Sequence, residues 1–178
     1  MAKSELHTPR FGAADVTRAA GISPATLQSW LNRNLLEPSS GLRNPGSGGR
    51  RRYSGCDLIR FGIMHHLVRT RFTLQIAAAM CRSLFAEPGD ARIELLARFA
   101  DTGDDVELWV VFSTPYPRKP TDEFAWDCAV VDPKLEDSWA AQLGKKLAGR
   151  ECISVNVGAV VRVVLAEILT IDGARKGP

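Results

Sequence analysis

The chain has 178 residues, 45% of them hydrophobic and 24% charged, with a net charge of +3. This is the profile of a globular protein long enough for one sizeable core or two small ones. No stretch reaches the ~18 apolar residues of a membrane-crossing helix, and the start, MAKSELHTPR, lacks the apolar core of a secretory signal. A cytoplasmic protein without a membrane partner is therefore expected. Charge is unevenly spread: residues 1–86 hold 12 Lys+Arg and 4 Asp+Glu, a net +8, whereas residues 87–178 hold 11 and 16, a net −5. A basic first half suits a phosphate-bearing partner. The 17 arginines against 6 lysines are explained equally well by GC-rich codon usage, but that does not account for their clustering at 50–52.

After a loose arm over residues 1–9, a first helix is expected from Ala13 to Ala20, with Arg18 on its polar side. Gly21-Ile22-Ser23 is a turn. Ser23 can accept from a free amide of the next helix, and Pro24 fits the first helical position, where its missing N–H is no loss. That second helix, Pro24 to Arg33, carries Leu27, Trp30 and Leu31 at i, i+3, i+4. Thr26, Gln28, Ser29 and Asn32 lie off the stripe. They are short hydrogen-bonding residues suited to base edges and phosphates. Asn34 fits a left-handed position after the helix, and Pro38 forbids continuation. This is the outline of a helix-turn-helix.

A glycine-rich segment then leads into Arg50, Arg51, Arg52 and Tyr53. Glycines permit a tight hairpin and arginine offers forked donors to phosphate, so the segment reads as the wing of a winged DNA-binding domain. Arg43 belongs to the same basic loop. Ser54 with Asp57 forms a capping box for a third helix, whose buried face is Leu58, Phe61, Met64, Leu67 and Val68. Neighbouring His65 and His66 diverge by about 100° on a helix, so packing or surface roles outweigh a ligand pair. Thr73 can cap a fourth helix over 74–85.

The series resembles the MerR family of regulators. The correspondence is carried by Gly21-Ile22-Ser23, Thr26-Leu27, Trp30, Leu35-Leu36-Glu37-Pro38 and Gly49-Arg50-Arg51-Arg52-Tyr53, followed by Asp57-Leu58 and Phe72-Thr73-Leu74-Gln75-Ile76, over about residues 11–84. Gln28 stands where the family usually has arginine, Asn34 where it has glycine, and Arg50 where it has the first wing tyrosine. The resemblance implies a winged fold of bacterial or phage type that binds double-stranded DNA as a homodimer, with RNA polymerase and an unknown effector as further candidate partners. Neither the family's long coiled-coil helix nor its metal-binding cysteines is visible.

Glu87-Pro88-Gly89-Asp90 breaks the chain. A helix over 91–100 and an acidic turn at 101–105 follow; about ten residues are too few for a coiled coil, which needs three or four heptads. VELWVVF and EFAWDCAVV then read as antiparallel strands, a helix is expected over 135–147, and Cys152-Ile153-Ser154-Val155 is a third strand. Asn156 is read as the cap of a last helix reaching about Leu169, with a frayed tail from Asp172. Valine is a poor helix former, so a strand is the alternative there. The apolar face of that helix is expected to join two subunits, with Val161 and Leu165 near the contact, because an uncovered strip would be an association liability. Trp109, Trp126 and Trp139 are core material or line a ligand pocket.

Cysteines 56, 81, 128 and 152 lack zinc-site spacing. They read as small buried hydrophobes, with a redox pair of Cys128 and Cys152 across a sheet as the alternative. No catalytic motif, metal site or cofactor loop is found. The expected fold class is α+β: a mainly helical winged helix-turn-helix over 1–86, a linker helix and turn over 87–104, a small α+β dimerisation or sensor module over 105–171, and a tail over 172–178. The DNA contacts are assigned to Arg18, Ser23, Thr26, Gln28, Ser29, Asn32, Arg43, Arg50, Arg51, Arg52 and Tyr53. A sequence-specific transcription regulator is the leading reading. An architectural or recombination accessory protein of excisionase type is the alternative, and an enzyme is not expected.

Overall fold

A computed structural model describes residues 6–38, 50–83, 109–113, 127–131 and 152–176. The helices expected over 91–100 and 135–147, the acidic turn, the loop containing Arg43, and Trp126 and Trp139 lie outside these residues. The described elements are helices α1 (Ala13–Ala20), α2 (Pro24–Asn32), α3 (Gly55–Arg69) and α4 (Leu74–Ser83), strands β1 (Trp109–Ser113), β2 (Asp127–Val131) and β3 (Cys152–Asn156), and helix α5 (Gly158–Lys176). The fold is α+β, as the pattern of periods requires.

The first helices are set by their ends. The Asp15 carboxylate accepts from the Gly12 N–H at 2.8 Å ahead of α1. After α1, Gly21 takes φ 65°, so that its N–H reaches the Arg18 carbonyl and that of Ile22 reaches Thr17. These two bonds satisfy carbonyls the helix would otherwise leave unpaired. Ser23 Oγ accepts from the Thr26 N–H at 3.0 Å and starts α2 behind Pro24. The closure of α1 recurs after α2, with Asn34 at φ 52° and the Leu35 N–H on the Trp30 carbonyl. At α3, Asp57 Oδ2 accepts from the Ser54 N–H at 2.8 Å while Ser54 Oγ accepts from the Asp57 N–H at 3.1 Å.

One core holds these helices. Trp30 stacks on Phe61 with ring centroids 6.3 Å apart, and Tyr53 meets Phe61 edge-on at 6.1 Å. Phe11 and Tyr53 pair as a short antiparallel bridge, each N–H on the other's carbonyl.

The last segment is a helix, as expected, and it corrects three other expectations. It continues to Lys176 rather than fraying from Asp172. Asn156 ends β3 and accepts from the Gly158 N–H through its side chain, while the Val157 carbonyl receives the first helical bond, from Val161. Most important, its apolar face is used within the chain. Val161 is 0% and Leu165 3% exposed, in the same core as Phe61 and Met64, with α5 lying against α3 and α1. Both residues are buried within the chain, and α5 packs on the helices of the first half. Gly62 makes the close approach possible: a Cβ there would sit 2.8 Å from Val164 Cγ2.

The sheet order is β2-β1-β3, antiparallel throughout. Ile153 and Val155 of β3 pack against the same core, and Trp109 in β1 is partly buried. Cys128 lies opposite Phe112 on one side of β1 and Cys152 opposite Ser113 on the other. Two strand spacings separate them by roughly 9–10 Å, beyond the ~7 Å Cα reach of a disulfide, so the redox pair is excluded. Cys56 and Cys81 are buried.

Candidate nucleic-acid interface

The surface side of α2 is built by its cap and its stripe. With Leu27 and Trp30 buried, the rotation of the helix leaves Ala25, Gln28, Ser29 and Asn32 exposed at i, i+3, i+4, i+7, on one continuous face. The Gln28 amide donates to Asn32 Oδ1 at 2.7 Å. This pair keeps both side chains ordered in line along the helix while leaving each further hydrogen-bonding capacity. At the N-terminal end, Ser23 and Thr26 share a hydroxyl–hydroxyl bond of 2.9 Å. Thr26 is half-buried and Ser23 exposed, so their first task is to start the helix. Arg33, exposed one turn after Ser29, is a cation at this face that the apolar stripe did not single out; its signal was the i+4 spacing from Ser29.

The basic segment divides. Arg50 and Arg52 are exposed and Arg51 is half-buried. The Arg52 guanidinium donates through Nη1 to the Arg10 carbonyl at 3.3 Å, which holds it beside the Phe11–Tyr53 bridge. Tyr53, expected at the DNA surface, is 1% exposed. Its ring belongs to the core, and burial pushes its phenol above the usual value. The periodicity could not show this, because a tyrosine closing a hairpin serves equally as an outward contact or an inward plug. Arg43 lies outside the described residues.

Arg18 also changes role. Its guanidinium meets Glu167 of α5 at 2.9 Å, so part of its charge is spent within the chain. Two further ion pairs tie α5 to the start of the fold: Arg10 to Asp172 at 2.6 Å and Arg175 to Asp15 at 2.6 Å. Arg175 also donates to the Arg10 carbonyl, the acceptor used by Arg52, and lies 5.3 Å above the Phe11 ring. The tail thus clasps the stem from which the arginine segment emerges. Sequence reasoning missed Arg10, Asp172 and Arg175, since residues 160 or more positions apart give no local signal.

Among the described residues no group of three or more His, Cys, Asp or Glu could hold a metal, and no helix is long and apolar enough to cross a membrane. Cys56, pushed up to about 12 by burial and then by the Asp57 charge, is a poor nucleophile or metal ligand.

What the described site offers is a polar face on a helix capped at both ends and exposed arginines on a pinned stem. Residues 13–84, less than half of the chain, match the family model described as MerR HTH family regulatory protein. No curated protein matches the chain.

Proposed function

We propose that this chain is a DNA-binding regulator of the MerR helix-turn-helix type, as its match over residues 13–84 supports, and that it reads a specific operator through α2 as a homodimer. The observation that carries the reading is the exposed Gln28–Ser29–Asn32 face, held in register by caps at both ends of α2. In this proposal the face enters the major groove, where amide side chains pair with base edges. Arg50 and Arg52 grip the flanking phosphates from a wing, and Arg43 and Arg51 add charge. Arg18, Ser23 and Thr26 support the helix and its approach to the backbone. A single domain of this size covers a modest stretch of DNA, so specific binding favours two copies on a repeated site. Contact with RNA polymerase and response to an effector follow from the same family reading, as does residence in the cytoplasm.

The experiment is selection of bound sequences from a random library, followed by titration of the winning site. Gln28→Ala should lower discrimination at one or two base pairs by about 1–3 kcal/mol each while nonspecific affinity holds. Replacing Arg50 and Arg52 together with alanine should weaken all sequences alike and flatten the log–log salt dependence by about one unit per lost contact. Failure to select any sequence would overturn specific readout. Selected sites at recombination junctions, without transcript changes on deletion, would favour the accessory-protein alternative. Sedimentation with and without the palindromic site tests the dimer.

A further inference from the structure

A groove of about 360 Å³ opens between the C-terminal end of α1, the middle of α3 and the first turns of α5, within the size range of small-molecule sites. Its buried wall is apolar, formed by Ala19, Ala20, Gly62 and Val164. Its open side carries Arg18, His66 and Arg69, together with Val163, which is 61% exposed although Val164 beside it is a core residue. His65 also lines it, with Nδ1 donating to the Ala20 carbonyl at 3.0 Å.

The charge around this groove is one-sided. Among the described residues the lining contains no acidic side chain, and one of its cations, Arg18, is engaged with Glu167 of α5 at 2.9 Å. His66 is held below the usual histidine value by burial, and then by the positive charges of Arg69 and His65. An anion placed between these groups would relieve that repulsion. Inorganic phosphate would leave the apolar wall unused, and a neutral hydrocarbon would leave the cations unused. A ligand that satisfies both is amphipathic.

We propose that this groove binds a small organic carboxylate, with its head on Arg69 and His66 at the mouth and its apolar body against Val160, Val163 and Val164. Bound there, the ligand bridges α1, which leads into the reading helix, and α5, which clasps the arginine stem. As an effector site it therefore rests on the DNA-binding reading, whereas the binding itself is measured without DNA and stands or falls separately.

The test is isothermal titration of the full-length protein with octanoate, with octan-1-ol and sulfate as controls. Octanoate should bind one to one, and the two controls at least about tenfold more weakly, since each makes only half of the contacts. Arg69→Gln should weaken octanoate by about fivefold or more. Val163→Glu, at a position exposed enough to spare folding, should abolish binding with an unchanged circular dichroism spectrum. Octanoate should also raise the His66 pKa in an NMR titration, because a bound anion favours the imidazolium. No saturable heat with octanoate up to ~10 mM, or binding indifferent to Val163→Glu, would overturn the proposal. Sulfate binding as tightly as octanoate would reduce the groove to a simple anion site and overturn it equally. If octanoate binds as expected but leaves operator affinity unchanged, the site stands and its effector role falls.

Discussion

Arg71 occupies a backbone conformation that arginine rarely adopts. At φ 76° it closes α3, with its N–H on the Val68 carbonyl and the Phe72 N–H on the Leu67 carbonyl. The two other closures of this kind use Gly21 and Asn34, residues that tolerate the left-handed region more readily. Arg71→Gly should therefore stabilise the fold by about 0.5–1 kcal/mol, the steric relief exceeding the extra freedom glycine gives the unfolded chain. Thermal melting should show a rise of roughly 1–4 °C; a fall would mean that the arginine side chain makes a contact worth more than the strain. At the same scale, the buried Cys56 thiol, at about 12, and the buried Cys81 should resist labelling by a thiol reagent at pH 8 until the protein unfolds, because the thiolate is the reactive form. Rapid native labelling of either, mapped by mass spectrometry, would show that the helices around it open readily.

Among the elements, the α3–α5 contact is a tight constraint. Gly62 faces Val164 and Val160 so closely that any side chain must displace one of them, and β-branched valines have little rotamer freedom with which to yield. Gly62→Leu should cost about 1–3 kcal/mol by overpacking, despite leucine's better helix propensity. Urea titration measures it, and a midpoint at or above that of the parent would mean that α5 can slide outward at little cost. The same contact explains why a valine-rich segment is helical. The packed valines Val157, Val161 and Val164 are buried together with Leu165 and Ile168, and that burial outweighs an intrinsic deficit of a few tenths of a kcal/mol per valine.

For the whole molecule, the clasp made by α5 decides what can fold alone. Core residues Val16, Phe61 and Met64 share one cluster with Val161, Leu165 and Ile168, and the pairs Arg10–Asp172, Arg18–Glu167 and Arg175–Asp15 tie the same surfaces. A fragment ending near Glu87 would expose that apolar strip of α1 and α3 to water. It should aggregate or melt without a cooperative transition, even though it contains the whole matched segment. Calorimetry of the fragment against the full chain tests this; a cooperative transition at the parent's temperature would make α5 a dispensable cover.

Local chemistry sufficed for the first half of the protein. Gly21, Ser23 with Pro24, Asn34, and Ser54 with Asp57 each place a helix end through bonds to residues within a few positions, and those bonds form wherever the chain goes next. The stripe of Leu27 and Trp30 likewise dictated which side of α2 faces outward, and with it the Gln28–Ser29–Asn32 face. Runs of β-branched and aromatic residues marked β1 and β2 as antiparallel strands. What periodicity could not supply was the partner of each apolar face. The strip on α5 is the same strip whether a second subunit or α3 covers it, and only the three-dimensional arrangement, with Gly62 opposite Val164, assigned it to the interior. Tyr53 turned inward for the same reason, its ring meeting Phe61 edge-on while Arg51 still reaches its phenol. Cys128 and Cys152 were parted by strand order, a global choice that left them on opposite sides of β1. Sequence determines these elements through short-range hydrogen bonds and periods; burial is settled by surfaces that meet across 100 residues or more, and those pairings have no local signature.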